Sequence, residues 1–439
     1  MADIQNKIFE LARELFPICR SITGDGVRKT LSILNNVYPV KIHNIASGTT
    51  VSDWSVPLEW NIKSAYIKDC SGNRIIDLAS NNLHVVGYSI PVDKILSLEE
   101  LLPHIYTDKE RPDAIPYVTS YYKERWGFCM SENQKSRLPA GNFHVFIDST
   151  LEKGNLTYGE IFLPGKSDKE ILLSTYICHP SMANNEVSGP ALTIYLAKYL
   201  SGLDRRYSYR ILFLPETIGS ITYISQNISH LQKHVAAGFV LSCVGDDRAF
   251  SYVASPYGNT LADKALKNVL RFEVTDFKSY SFLERGSDER QYCSPLANLP
   301  VCGFCRSKYG EYPEYHTSDD NMSIISPSGF LGSYNVMREC ITALESNFYY
   351  KTLTLCEPQL GKRGLYPTES FKGSAALVRS MTNFIAYADG KNDLIDISNI
   401  INNPVSELIP IVQKLLREKI IEEKELESRN VIKIGAFNL

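Results

Sequence analysis

The sequence has no apolar run of the roughly 18–20 residues that a bilayer-crossing helix requires, so no membrane partner is expected. It has no long block of one charge either. The 46 Lys and Arg stand against 49 Asp and Glu, a formal net charge of −3, which supplies neither a basic field for nucleic acid nor an acidic tail. Internal repeats and low-complexity segments are absent. The opening MADIQNKIFELAREL reads as an amphipathic helix and lacks the basic start, apolar block and small-residue cleavage site of an export signal. The 10 cysteines are scattered through strand-like segments rather than packed into a disulfide framework. They are expected to be reduced thiols in a cytoplasmic protein. The lone CxxC, Cys302 to Cys305, has no second pair to complete a zinc ribbon and reads as buried thiols beside a strand.

What is present is ordinary globular material. Hydrophobic residues make up 44% and charged residues 22% of 439 positions, enough for two or three domains. Residues 4–37 read as helical, ending near Tyr38-Pro39, and 1–54 is expected to be the N-terminal helical part of the core. From 55 to 150 the pattern turns to short alternating strands (64–68, 74–78, 83–88 and 142–147) among turns and prolines, an inserted small β-rich domain. From 151 to 358 nearly continuous apolar strands alternate with helices. Strands are predicted at 156–163, 171–177, 209–214, 238–243 and 300–305, and helices from Ser188 as N-cap, after Gly219, and at 260–270 and 327–346. That rhythm belongs to an α/β core, a mostly parallel sheet with helices on both faces, whose ligands bind where strands end. Residues 359–439 predict helices at 375–388, 394–401 and 405–420 and a strand at 430–434, a winged helix.

Polar residues gather at the strand ends. Five clusters recur: CHPSMANNEVSG from Cys178, PETIGS from Pro215, CVGDD from Cys243, RGSDER from Arg285 and PEYHTSDD from Pro313. Two histidines and several carboxylates at successive strand ends supply the imidazole and oxygen donors that zinc takes while keeping a position for water. A nearby carboxylate can then take a proton from that water and pass it to a leaving amine.

In their order these clusters resemble the zinc-dependent aminopeptidase superfamily of the bacterial leucyl aminopeptidase type. Over nearly the whole chain, CHPSMANNEVSGP, PETIGS, RGSDERQY and PEYHTSDD are similar to bacterial aminopeptidase-like proteins often encoded in surface-polysaccharide gene clusters. The resemblance implies a zinc-exopeptidase-like (phosphorylase/hydrolase-like) core, an inserted β domain and a C-terminal winged helix. It implies His179 and His316 as metal ligands, Glu216 as general base, and Ser287-Asp288 as the element preceding the late His. The sequence departs from the family where Asn185 stands at the bridging Asp, with Glu186 beside it as substitute ligand. Thr217 replaces the second Glu of a pair. The third carboxylate falls near Ser242, with Asp246 a turn later. One zinc held by His179, Glu186 and His316 is therefore expected, with Asn185 close by, rather than two ions.

On the substrate side, Arg285, Arg290 and Arg306 are candidates to bind a carboxylate or phosphate, or else to form internal ion pairs. Asp246, Asp288 and Tyr315 complete the substrate-binding candidates, Tyr315 as a ring on which a sugar can stack. The leading expectation is a metal-dependent amide hydrolase acting on a small aminoacyl or N-acyl compound, with a role in surface-polysaccharide biosynthesis. The alternative is a ligand-binding or regulatory protein on a degenerate peptidase scaffold. A transcription factor is disfavoured because residues 391–430 carry six basic and eight acidic residues. The winged helix is expected to pack on the core or to mediate homo-oligomerisation.

Overall fold

A computed structural model describes residues 3–366 and 374–425. Its central sheet has eight strands in the order Lys41–Ala46, Asn155–Leu163, Ser208–Leu214, Glu170–Tyr176, Val235–Leu241, Val301–Cys305, Ser251–Val253 and Lys278–Tyr280. The strands beginning at Ser208, Glu170, Val235 and Val301 pair in parallel. Outside them the pairings to Asn155–Leu163, Lys41–Ala46 and Ser251–Val253 are antiparallel, so the sheet is mixed. Every residue of Glu170–Tyr176 is buried, which explains its run of Ile171, Leu172 and Leu173 with no alternation.

The chain enters the parallel region at Glu170–Tyr176 and moves to Ser208–Leu214 on one side through helix Ser188–Ser201. It then returns to Val235–Leu241 on the other side through helix Ile218–His234. That reversal is a topological switch point, and the carboxyl ends of the three strands around it are where a crevice opens.

Three local expectations change. Residues 4–37 form two helices, Ile4–Leu15 and Asp25–Val37, because Pro17 and the positive-φ Gly24 fall between them. The stretch 83–88 is no strand: it holds a short 3-10 turn, Asn82–His84, followed by isolated bridges to Phe128 and Thr119. Ser188 does not cap its helix. Its hydroxyl donates to the Asn184 carbonyl and accepts from the Val244 N–H at 2.9 Å, tying the helix to the next strand end.

The strands of the inserted stretch form a separate four-stranded antiparallel sheet, Arg74–Asp77, Glu59–Lys68, Asn142–Glu152 and Val92–Ser97, around Ile67, Phe128, Phe143 and Val145. It belongs to the same compact unit as the main sheet, which comprises 1–262 and 277–335. The second unit takes in 263–276 and everything from Val336, so it begins before the expected boundary at 358. It contains helices Ser374–Tyr387, Leu394–Ile401 and Val405–Arg417 and a three-stranded sheet of Asp389–Asp393, Tyr349–Thr352 and Ile421–Lys424. Phe384, Leu394, Ile397, Leu408 and Leu415 are buried in it. The wing strand expected at 430–434 lies outside the described residues.

Gly189 opens the helix after the first strand end at a spot with no room for a side chain. A β-carbon there would sit 2.2 Å from Thr175 Oγ1 and 2.7 Å from the Leu241 carbonyl. Gly189→Ala should therefore cost about 1–3 kcal/mol through overpacking. Chemical denaturation of both proteins checks this, and an unchanged midpoint would contradict the close approach.

Candidate active site

His179 leaves the carboxyl end of Glu170–Tyr176 and is buried. Its Nδ1 lies 2.8 Å from Glu186 Oε2, and its Nε2 lies 3.5 Å from Glu216 Oε2. Glu186 is held in turn by the fully buried Arg20, 3.5 Å from the other carboxylate oxygen. The Arg20 Nε–H also donates to the His179 carbonyl at 2.9 Å, and Nη1 donates to Leu15 at 2.8 Å. Arg20 thus connects the loop between the first two helices to both ends of the His179–Glu186 pair. Cys178 Sγ lies 3.5 Å from Nδ1 and accepts from the Glu216 N–H at 3.2 Å. Burial pushes the Cys178 thiol up to about 11, so it stays protonated near neutral pH.

Glu186 and Asn185 sit in a π-helical turn, Ala183–Val187, that feeds the next helix. Asp320 organises this turn by accepting from the Asn184 and Asn185 N–H groups at 2.6 and 3.0 Å, and from Tyr312 at 2.7 Å. Burial lifts Asp320 to about 6 against those hydrogen bonds. The Asn185 amide donates to the Tyr176 hydroxyl at 2.9 Å, and its Oδ1 is buried without a hydrogen-bond partner.

Glu216 follows Ser208–Leu214. The next residue, Thr217, has φ 64° and ψ −75°, and the Ile218 N–H bonds back to the Glu216 carbonyl at 2.8 Å. This is a γ-turn at a β-branched residue, strained by about 1–3 kcal/mol. It is held from outside: the Thr217 N–H donates to Asp288 at 2.8 Å, and Thr217 Oγ1 accepts from Arg290 at 2.6 Å. The helix-end donors at Thr217 and Ser220 go to Asp288, which leaves the Glu216 carboxylate facing His179 rather than capping. Burial raises Glu216 to about 7; His179 and Arg290 pull it down while Asp288 and Glu289 push it up. Burial likewise lifts Asp288 to about 6.

His316, also at positive φ, presents its ring 5.4 Å from that of His179, centroid to centroid. Its Nε2 is buried without a hydrogen-bond partner, and burial together with the neighbouring His179 lowers its pKa to about 3. Tyr315 stacks on it at 3.9 Å. Tyr117, from the inserted stretch, sets its ring edge against both imidazoles at 5.3 and 5.2 Å. Its N–H donates to the His316 carbonyl at 2.8 Å, and a bridge between Pro116 and Thr317 fixes the approach.

The structure therefore brings together His179, Glu186, Asn185, Glu216, His316 and Tyr315, with Asp288 one layer behind. It does not leave Asp246 free for a substrate. That carboxylate accepts from Asn184, Arg248 N–H and both the N–H and hydroxyl of Ser307, all at 2.8–2.9 Å. Arg285 is exposed and folds back onto Phe282, away from any substrate-binding role that the structure supports. Arg20 and Tyr117 had no sequence signal as site residues, since each reaches the site from a distant segment, while Cys178 and Asp320 stood inside the strand-end clusters without being assigned a role.

The donors can be tested against a metal ion. Among the described residues, Cys178, His179 and Glu186 form a buried group whose ligand atoms all lie within 4.8 Å of one another. That group surrounds Nδ1, which already bonds Glu186. A carboxylate on the second nitrogen of a histidine is the usual orienting partner of a ligand, so Glu186 fits that role better than the ligand role expected from sequence. The other face of the ring offers Nε2, with Glu216 Oε2 3.5 Å away, and His316 Nε2 and Asn185 Oδ1 are buried without hydrogen-bond partners. Among the described residues the donor group close enough for an ion is Cys178, His179 and Glu186, and His316 is not part of it, its ring lying 5.4 Å from that of His179, centroid to centroid. Thr217 Oγ1 is taken by Arg290, and the Ser242 hydroxyl pairs with Cys305.

Comparisons with known proteins place the chain in a family and give the fold it shares. A family model described as a domain of unknown function (DUF4910) matches residues 9–347, and a winged helix-turn-helix model matches 347–423. The chain is 46% identical over 402 residues to a Clostridium acetobutylicum protein, covering 89% of this chain and 90% of that one. That relative is named as a candidate polysaccharide biosynthesis protein with an aminopeptidase-like domain. The chain belongs to this aminopeptidase-like DUF4910 family. A crystal structure of a candidate peptidase from Clostridium acetobutylicum matches with TM-score 0.91 and 43% identity over 96% of this chain and 97% of that chain. BSAP, a zinc aminopeptidase from Bacillus subtilis, shares the fold at TM-score 0.57 and 11% identity, over 77% of this chain and 94% of its own. The DUF4910 chain thus has an aminopeptidase-like α/β fold with a C-terminal winged helix.

Removing one partner of a buried ion pair leaves an uncompensated charge. Glu186→Ala should destabilise the protein by about 3–5 kcal/mol, because Arg20 would remain buried without its carboxylate. Equilibrium unfolding measures this; a loss below about 1 kcal/mol would show that Arg20 finds another partner.

Proposed function

We propose that this chain is a metal-assisted amide hydrolase acting on a small aminoacyl or N-acyl compound. The observation that carries this reading is the convergence of His179, Glu216 and His316, each from a different strand end or loop, with Glu216 Oε2 3.5 Å from His179 Nε2. The aminopeptidase-like name of the relative and the fold shared with a zinc aminopeptidase support it. The relative's name also supports a role in polysaccharide biosynthesis, which points to an amino-sugar or aminoacyl intermediate as substrate.

His179 and His316 would hold one zinc-type ion through Nε2, with the Asn185 amide oxygen beside them. When bound, such an ion polarises an amide carbonyl and acidifies a water. Glu186, paired with Arg20, receives the His179 Nδ1 proton and so turns Nε2 towards Glu216, where a bound ion would take the place of the Nε2 proton. Glu216 takes the proton of the attacking water on its carboxylate and returns it to the leaving nitrogen, a transfer its 21% side-chain exposure allows. Tyr117 and Tyr315 wall the histidines against bulk water.

Purified protein grown with added zinc should carry about one ion per chain. His179→Ala and His316→Ala should each lose it, while Cys178→Ser should keep it, as read by elemental analysis. Loss in Cys178→Ser but not in His316→Ala would place the ion on Nδ1, and no ion in any sample would overturn the reading.

Turnover supplies the second test. Glu216→Gln should preserve fold and bound ion and lower amide hydrolysis by about 10²–10⁴-fold. Undiminished hydrolysis in this variant would remove Glu216 from the chemistry.

A further inference from the structure

The sequence offers three arginines as anion binders, and the structure separates them. Arg306 is 5% exposed, donates to the Ala249 and Gly329 carbonyls, and stacks on Phe250, so it is a core residue. Arg285 turns back onto the Phe282 carbonyl and ring. Arg290 is exposed and donates from Nη2 to Thr217 Oγ1 at 2.6 Å, one residue from Glu216. No ion pair engages it among the described residues, and the remaining N–H groups of its guanidinium have no partner there.

Two other guanidinium groups near the His316 loop are neutralised. Arg248 forms a two-pronged pair with Glu314 at 2.8 and 2.9 Å, and Arg111 pairs with Asp319. The Thr217 side chain, next to Glu216, receives a cationic donor. A fixed positive charge with unused forked donors beside the general base is suited to a carboxylate or phosphate.

We infer that Arg290 is an anion-binding residue at the rim of the site, so that the ligand carries a carboxylate or phosphate close to its reacting amide. The word amide rests on the hydrolase reading above; the anion preference does not, and it is measured by binding. The rival role for Arg290 is to clamp the strained Thr217 turn and nothing more.

The experiment uses the full chain in a Glu216→Gln background, loaded with zinc, so that nothing is turned over. Calorimetry follows N-acetylglycine, its neutral counterpart N-acetylglycinamide, and inorganic phosphate. N-acetylglycine should bind about tenfold more tightly than the amide. Arg290→Gln should reduce that preference to within about twofold, and Arg290→Lys should retain part of it. Phosphate displacing N-acetylglycine in the parent but not in Arg290→Gln would identify a phosphorylated ligand; failure to displace it would identify a carboxylate. Equal binding of charged and neutral compounds by the parent, or no binding of either, would overturn the inference. So would a preference unchanged in Arg290→Gln, or a lowered melting temperature with both ligands weakened alike. Hydrolysis by the unmodified chain, assayed separately on neutral amides, tells failure of the hydrolase reading from failure of this one.

Discussion

Glu186 carries two loads with one buried carboxylate. One oxygen faces Arg20 and the other receives the Nδ1 proton of His179. Taking such a charge out of water costs several kcal/mol, and only a cation and a well-aligned donor offset it. The arrangement makes the orientation of His179 a consequence of folding: the ring cannot rotate without stranding the carboxylate, and the carboxylate cannot move without stranding Arg20. Arg20 itself is fixed by the carbonyls of Leu15 and His179, so the site cannot assemble unless the loop between the first two helices is in place.

The strand ends around this pair share a second property. Thr217, Cys243 and His316 all have positive φ, an uncommon state for residues with a side chain. Such conformations persist when neighbours over-determine them. Cys243 and His316 are held through their carbonyls by the Arg306 and Tyr117 N–H groups, and the Thr217 turn and its surroundings are held by carboxylates that resemble catalytic groups in the sequence. Asp288 holds the Thr217 turn, Asp320 holds the turn that carries Asn185 and Glu186, and Asp246 ties Asn184 to Ser307. Asp residues at strand ends here serve mainly to satisfy backbone N–H groups that tight turns leave without partners, which is why Asp246 carries structure where chemistry was expected.

Legibility followed the range of the interaction. The strands from Asn155, Glu170, Ser208 and Val235 were readable because most of their residues are buried and apolar ones predominate in them, and the three helices from Ser374 onward were readable from their period. Lys41–Ala46 was not, since only alternate residues of this antiparallel edge strand are even partly buried. His179, Glu216 and His316 stood out as polar residues abutting apolar strands. Arg20 and Tyr117 did not, because each gains its place through partners far along the chain, 159 positions from Arg20 to His179 in one case. Glu186 was visible as a residue, but which imidazole nitrogen it faces is settled only by packing.

The charge balance of the site gives the remaining step. Glu186, Glu216, Asp288, Glu289 and Asp320 lie in or directly behind one crevice, and Arg20 and Arg290 are the guanidinium groups bonded to them or to the turn between them. Arg20 is committed to Glu186. Burial therefore drives Glu216 to about 7 and Asp288 and Asp320 to about 6, each towards its neutral form. Acceptor atoms of Asn185, Asp288 and Glu289 remain buried without hydrogen-bond partners. Polar atoms in that state each cost about 1–3 kcal/mol. A cation placed against the free faces of His179 and His316 would relieve part of that cost and draw Glu216 back towards its charged form, the form a base needs. Arg290 supplies positive charge at the rim instead of the interior, where it is still open to an incoming anion. On the proposed reading the two cationic positions would do different work: an ion at the inner one would restore the base, and Arg290 at the outer one would select what reaches it.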